Sequence, residues 1–285
     1  MTKFIVTAIN PDNGQLTRFH YDNATSELTR ESGEPVVHAV EVADRVEAPA
    51  VSKQTPLGKS SPRTLKISLG LSCNYECEYC SQRFVPRIVE TNPGDVQAFI
   101  DGLDAWVTSP PEKVEFWGGE PLVYIKTMRP LAEAIKAKFP KADLSVITNG
   151  SLLNDDINEW LERIGFSVGI SHDGPGQHVR GPDPLQDPQQ RAAIMALYAR
   201  LAPQRRISFN AMVNRENASR AAIQRFFIEL TGDPKVPIGE GSFVDAYDEG
   251  GIAKSLQPEE LHVYRKLAFH EIRSGQASNV QAVTS

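Results

Sequence analysis

The sequence predicts an α/β protein, a partial (βα)6 TIM-like barrel preceded by a small β-rich N-terminal segment. Three observations lead there. From Thr64 onward, short apolar runs alternate with amphipathic stretches of helical length, the alternation that builds a parallel sheet covered by helices. These units number six, two short of the closed eight-unit barrel. Before Thr64 the chain shows strand patterns and turn residues instead.

In order along the chain, KFIVTAI reads as a strand, and residues 15–21 and 26–31 read as two more around a turn at Asp22 and Asn23. Residues 1–48 are therefore expected as a β-rich segment. A stretch rich in Pro, Ser and Lys marks 49–63 as a linker or a strap across the main domain. The barrel is expected over 64–274, followed by a tail at 275–285. Its strands are predicted at 65–71, 113–117, 143–148, 166–171, 206–213 and 236–244, and its helices at 95–108, 125–139, 154–164, 188–201, 218–230 and 258–274. The third helix carries the fullest signals. Asn154 can cap it, Ile157, Trp160, Leu161 and Ile164 share one face, and Gly165 can end it.

Composition narrows the classes. The chain has 285 residues, 40% hydrophobic and 23% charged, with a net charge of −6 and three cysteines. Three cysteines are too few for a disulfide scaffold, and the apolar fraction excludes wholesale disorder. No apolar run approaches the roughly 18 residues of a membrane span. The start, MTKFIVTAINPDNGQ, leaves no room for a secretory hydrophobic region, so a cytoplasmic protein is expected. An acidic chain without basic clusters is a poor phosphate-backbone binder, although a local patch could hold one nucleotide or RNA end.

The cysteines carry the sharpest signal: Cys73, Cys77 and Cys80 fall within eight residues, just after the first barrel strand. In a reducing compartment such clustering points to metal or redox chemistry. Iron–sulfur clusters take thiolate ligands, usually four. Three thiolates leave one iron without a protein ligand, which a catalytic centre needs and a structural one avoids. The alternative is a zinc knuckle completed by histidine, but no histidine lies near in sequence. Three further short sequences follow later strands: Gly118-Gly119-Glu120-Pro121, Thr148-Asn149-Gly150 and Ser171-His172-Asp173-Gly174-Pro175. Ligands of parallel α/β domains gather at these strand ends. Each run alone reads as an ordinary turn. Their joint order and placement is the signal.

Together these residues resemble the radical S-adenosylmethionine (SAM) enzymes. Cys73-Asn-Tyr-Glu-Cys77-Glu-Tyr-Cys80 looks like the family's CxxxCxxC signature, with the aromatic Tyr79 before the third cysteine. The later runs are similar to its GGE motif, its third-strand motif and the SxDGP stretch of the peptide and sulfatase maturases. The resemblance covers residues 65–213. It implies that the cysteines ligate a [4Fe-4S] cluster and that SAM chelates the fourth iron. The reduced cluster would cleave SAM to methionine and a 5′-deoxyadenosyl radical that abstracts hydrogen from substrate. It also implies site roles. Glu120 would accept the methionyl ammonium, with Gly118 and Gly119 permitting close backbone approach, and Ser171 and Arg180 would hold the SAM carboxylate. Thr148, Asn149 and Asp173 would make ribose or loop-fixing hydrogen bonds, and Asn210 and Val213 would lie beside adenine or ribose. A peptide or protein substrate and a reductant such as flavodoxin or ferredoxin are the implied partners.

Other constellations fail. Gly58-Lys59-Ser60 lacks the first glycine of a phosphate-binding loop, Lys53 standing in its place, and Gly239-Glu240-Gly241 has Val244 where a dinucleotide fingerprint needs glycine. His262 and His270 are eight apart, the wrong spacing for a shared metal. Asp245, Tyr247 and Asp248 follow the sixth strand and are the candidate catalytic residues, as acid, base or radical neighbours. His172 is either a substrate contact or a packed side chain, and the loop at 174–188 either edges the substrate opening or is a rigid connection. The N-terminal segment can bind a peptide by strand addition or pack across the barrel. With no cysteine beyond Cys80, the chain is expected either to need no auxiliary cluster or to be a shortened form. The competing functions are a radical SAM enzyme for a small molecule or nucleotide, and a noncatalytic iron–sulfur or zinc module.

Overall fold

The computed structural model describes residues 3–9, 13–22, 25, 27–36, 58–80, 82, 85, 90–242 and 255–274. The chain divides into two compact units, residues 1–57 and 58–285. In the first, β1 (Lys3–Ile9), β2 (Leu16–Asp22) and β3 (Glu27–Arg30) form an antiparallel sheet in that order. Its register sets Phe4 opposite Tyr21, Val6 opposite Phe19 and Tyr21 opposite Leu28, which puts these side chains on one face.

The second unit is built on six parallel strands: β4 (Thr64–Ser68), β5 (Lys113–Trp117), β6 (Asp143–Thr148), β7 (Phe166–Ser171), β8 (Ile207–Val213) and β9 (Ile238–Ser242). They lie side by side in sequence order. With no reversal of strand order, every crossover steps the same way and the sheet curls, as a partial barrel does. Among the described residues its α-helices are α1 (Val96–Gly102), α2 (Ile125–Lys138), α3 (Asp155–Ile164), α4 (Pro188–Leu201), α5 (Arg220–Thr231) and α6 (Pro258–Arg273).

Alternation along the strands separates the two faces of the sheet. On β8, Ile207, Phe209, Ala211 and Val213 are buried in the core shared with the helices, while Ser208, Asn210 and Met212 are half-buried on the other face. The register extends this across the sheet. Ile67, Phe116, Val146, Val168 and Ile207 form one buried apolar row through five strands. The opposite face carries the row Lys66, Glu115, Ser145 and Ser167, then Ile147, Gly169 and Ser208, then Ser171, Asn210 and Gly239. A closed barrel fills its interior with layers of bulky branched side chains. Here most of those positions are small or polar.

The third helix forms for the reasons legible in its sequence. Asn154 Oδ1 accepts the Ile157 N–H at 3.0 Å, and Gly165 ends the helix with φ 91°. Trp160 packs on Phe166, ring centroids 5.3 Å apart. The first helix is shorter than expected. Its α-helical part stops at Gly102, with a 3-10 turn on either side, because Gly102 is a poor helix residue and the Asn92–Asp95 capping box with Pro93 opens a 3-10 turn first. Strand β4 ends at Ser68 rather than at 71, and β9 is described only to Ser242. Residues 58–63, the end of the expected linker, lie along the barrel: Ser60 pairs with Val107, and the Arg63 carbonyl accepts the Glu112 N–H at 2.9 Å. Among the described residues, no helix is long and apolar enough to cross a membrane.

Candidate functional site

A cavity of about 670 Å³ opens at the C-terminal ends of the strands, within the range of small-molecule sites. All three cysteines border it, with Tyr79, Gly118, Gly119, Glu120, Thr148, Asn149, Ser171 and Arg180. Asp173, Asn210 and Val213 do not. The expected catalytic residues Asp245, Tyr247 and Asp248 lie outside the described residues.

The cysteine loop is held at its base and at its tip. Ser72 donates its N–H to the Tyr124 hydroxyl at 2.6 Å and its Oγ–H to Glu90, and the Cys80 N–H donates to the Cys77 carbonyl at 3.0 Å. Burial pushes the Cys77 thiol up to about 12, against the pull of the Arg180 guanidinium, and also raises Cys73. For Cys73 and Cys77, loss of the proton is therefore coupled to metal binding. Among the described residues no three His, Cys, Asp or Glu side chains gather tightly enough to enclose one metal ion, and no histidine borders the cavity. Three thiols bordering one cavity offer the thiolate ligands that iron–sulfur clusters take.

The glycine pair serves a close backbone approach, but to the protein's own chain. The Gly119 N–H donates to the Gly70 carbonyl and the Glu120 N–H to the Ser72 carbonyl, both at 3.0 Å. A Cβ on Gly119 would lie 2.5 Å from the carbonyl oxygens of Leu71 and Ser72. Backbone cannot yield as a flexible side chain can, so Gly119→Ala must displace the start of the cysteine loop. The expected cost is about 1–3 kcal/mol, read as a lower thermal midpoint together with reduced iron uptake.

Glu120 is 2% exposed. Its Oε1 accepts Thr148 Oγ1–H at 2.6 Å and Leu122 N–H at 3.0 Å, and its Oε2 accepts Asn149 N–H at 2.7 Å. One carboxylate thus ties the ends of β5 and β6 together. Burial raises its carboxyl above the usual range, with these hydrogen bonds and Arg180 opposing the shift. Asn149 continues the chain of contacts, donating from Nδ2 to Asn74 Oδ1 at 2.9 Å inside the cysteine loop.

Asp173 is fully buried and makes loop-fixing bonds. Its Oδ1 accepts from Arg180 Nη2 at 2.7 Å and from the Met212 N–H at 2.8 Å, and its Oδ2 accepts the Tyr79 hydroxyl at 2.6 Å. Arg180 also lies over the Tyr79 ring, 5.5 Å from its centroid. Neighbouring His172 is a packed side chain. It is 0% exposed and stacked on Phe226; its Nδ1 accepts the Gly174 N–H, so Nε2 carries the proton and donates to Asp183 at 3.0 Å. That bond pins the 174–188 loop. The expectation for Val213 fails on strand geometry: period-two alternation sends it into the helix-covered core, opposite Asn210. The Asn210 carboxamide instead crowds Gly169, where a Cβ would lie 2.3 Å from Nδ2.

Several site residues escape a sequence reading. Ser72, Glu90 and Tyr124 hold the base of the cysteine loop from separate segments. Trp117 and Ile147 border the cavity while 40% and 43% exposed. In sequence they are apolar strand residues, indistinguishable from core until the facing direction of each strand is known.

The family described as the Radical SAM superfamily matches residues 67–221. The radical SAM cyclopropyl synthase TigE of Paramaledivibacter caminithermalis is 24% identical over 174 residues, covering 54% of this chain and 36% of TigE. The serine-type anaerobic sulfatase-maturating enzyme of Bacteroides thetaiotaomicron is 30% identical over 116 residues, 38% of this chain and 28% of that enzyme. The solved structure of anSMEcpe with bound AdoMet and Kp18Cys peptide has a TM-score of 0.58 at 19% identity, covering 76% of this chain and 63% of that one. The chain thus spans about a third of the length of these curated relatives. With the matched family residues covering more than half of it, the chain belongs to the radical SAM superfamily, whose members use a [4Fe-4S] cluster and S-adenosylmethionine.

Proposed function

We propose that this protein is a radical SAM enzyme acting on a peptide or protein side chain. One observation carries the reading: a cavity bordered by three cysteine thiols also presents one buried carboxyl group, Glu120, and one guanidinium, Arg180. Opposite charges on one wall suit a zwitterionic amino-acid head such as the methionyl end of SAM, whose ammonium would meet Glu120 and whose carboxylate would meet Arg180 and Ser171. When bound to Cys73, Cys77 and Cys80, a reduced [4Fe-4S] cluster supplies the electron that cleaves SAM to methionine and the hydrogen-abstracting 5′-deoxyadenosyl radical. Thr148, Asn149 and Asp173 hold the surrounding loops in place by the bonds described above.

The peptide substrate is supported by the kinship with a sulfatase-maturating enzyme and by the fold shared with anSMEcpe, solved with a peptide bound. The exposed faces of Trp117 and Ile147 leave apolar surface for such a side chain. Free cysteines and a cluster that must be reduced agree with a reducing compartment and with a flavodoxin or ferredoxin as electron donor. The test is anaerobic reconstitution with iron and sulfide, followed by reduction with SAM present. The expected result is 5′-deoxyadenosine that carries deuterium when a deuterated peptide substrate is supplied. Zinc uptake without cluster absorption sinks the enzyme reading, and turnover of a small molecule or nucleotide with no peptide present sinks the peptide reading.

A further inference from the structure

The Asp173 carboxylate joins three parts of the site that are far apart in sequence. Its Oδ2 accepts from Tyr79, which stands between Cys77 and Cys80 in the cysteine loop, 94 residues away. Its Oδ1 accepts from Arg180 through Nη2 at 2.7 Å and Nε at 3.3 Å, and from the backbone of Met212 on β8. Its own main chain is fixed as well, the N–H donating to Gln177 Oε1 at 2.9 Å and the carbonyl accepting Asn217 Nδ2–H at 2.8 Å. At 0% exposure Asp173 is directly paired with a guanidinium, as a buried carboxylate needs to be. Its partner Arg180, 11% exposed, borders the cavity beside the cysteines.

We propose that Asp173 is the positioning residue and counterion of the cysteine loop: it fixes Tyr79 and neutralises Arg180, and so holds down the reduction potential of a cluster borne by Cys73, Cys77 and Cys80. The inference rests on the radical SAM reading of those thiols. The physics is one of sign. A reduced cluster carries one more negative charge than an oxidised one, so an uncompensated guanidinium nearby favours reduction and a paired one does so far less. A low potential is what a strongly reducing centre requires.

The experiment is a redox titration of the reconstituted full chain, one electron delivered by dithionite through dye mediators and the reduced cluster followed by electron paramagnetic resonance. Asp173→Asn removes the charge but keeps an oxygen for Arg180 and Met212. It is expected to shift the one-electron equilibrium toward the reduced form by about tenfold, about 59 mV positive. Asp173→Glu keeps the charge and is expected to stay near the native potential. The double variant Asp173→Asn/Arg180→Gln, with both charges gone, is expected to return toward it. A merely structural Asp173 would lower the thermal midpoint and leave the potential unmoved, and that result overturns the inference. Should Asp173→Asn alone fail to load a cluster, the double variant decides: loading at a native-like potential supports the inference, and no loading overturns it. A native chain that takes up no cluster overturns the functional reading and this inference together, whereas a loaded native chain with unshifted variants overturns the inference alone.

Discussion

Cys77→Ala is expected to abolish 5′-deoxyadenosine formation while the protein stays folded. Of the three thiols, Cys77 is the one burial raises to about 12, so its proton is held tightly until metal displaces it. No other cysteine exists in the chain to replace it. Disturbing an outer-shell partner of a metal site costs about 10–100-fold in affinity or activity, and deleting a ligand from a set of three exceeds the upper end of that range. The fold should hardly notice. Removing one half-buried sulfur makes no large cavity and leaves no buried polar group without a partner, so a change within about 1 kcal/mol is expected. The measurements are iron content, visible absorption and SAM cleavage beside a thermal melt. Full cluster absorption in Cys77→Ala would show that this thiol is not a ligand.

Glu120→Ala is expected to give the largest loss of stability at the site. Truncation leaves the Thr148 hydroxyl and the Asn149 and Leu122 N–H groups without the acceptor they share. Each abandoned buried group costs about 1–3 kcal/mol, and their neighbours recover part of it, which leaves about 3–5 kcal/mol. For a unit of this size that lowers the thermal midpoint by about 10 °C. Glu120→Gln separates charge from hydrogen bonding. It keeps one oxygen acceptor, so its cost is smaller and depends on pH in a definite direction. Burial raises the native carboxyl; stability from its protonated form is therefore fully present below its unfolded value of about 4.3 and is lost as pH rises through the folded value. The glutamine has no such titration. Its deficit relative to the native protein should shrink as pH rises from the unfolded value through the raised folded value, and a deficit that instead grows means that the ionised form is the stabilised one. A ligand ammonium at the wall relieves the same cost, so SAM should raise the melting temperature of the native protein more than that of Glu120→Gln.

Much of the barrel was legible because its signals are local. The 113–117, 143–148 and 166–171 strands and the 188–201 helix lie where apolar period and length place them. The first helix was overextended because an apolar period runs on through Gly102 while the backbone tightens to 3-10 turns. At the site, the convergence of the cysteines, Glu120, Ser171 and Arg180 on one cavity is legible because strand-end position is a property of the chain itself, while the roles expected of them come from the resemblance. Val213 could not be excluded in advance, since the facing direction of a strand follows from its register with neighbours. His172 was undecided for the same kind of reason: its partner Asp183 lies in a loop whose path no local rule gives.

The sequence by itself determined that three thiols and three strand-end motifs gather at one end of the sheet. Three thiols within eight residues, followed by three strand-end motifs in order, require only the alternation of strands and helices to converge. The tertiary structure alone decided what those residues do for one another. Glycines expected to admit a ligand admit the backbone of the cysteine loop. A carboxylate with a choice between ribose and loop became the buried counterion of Arg180 and the anchor of Tyr79. The reason is physical: a spacing fixes which groups are near along the chain, whereas a buried charge is satisfied by groups brought from far away, and only the folded chain says which ones arrive.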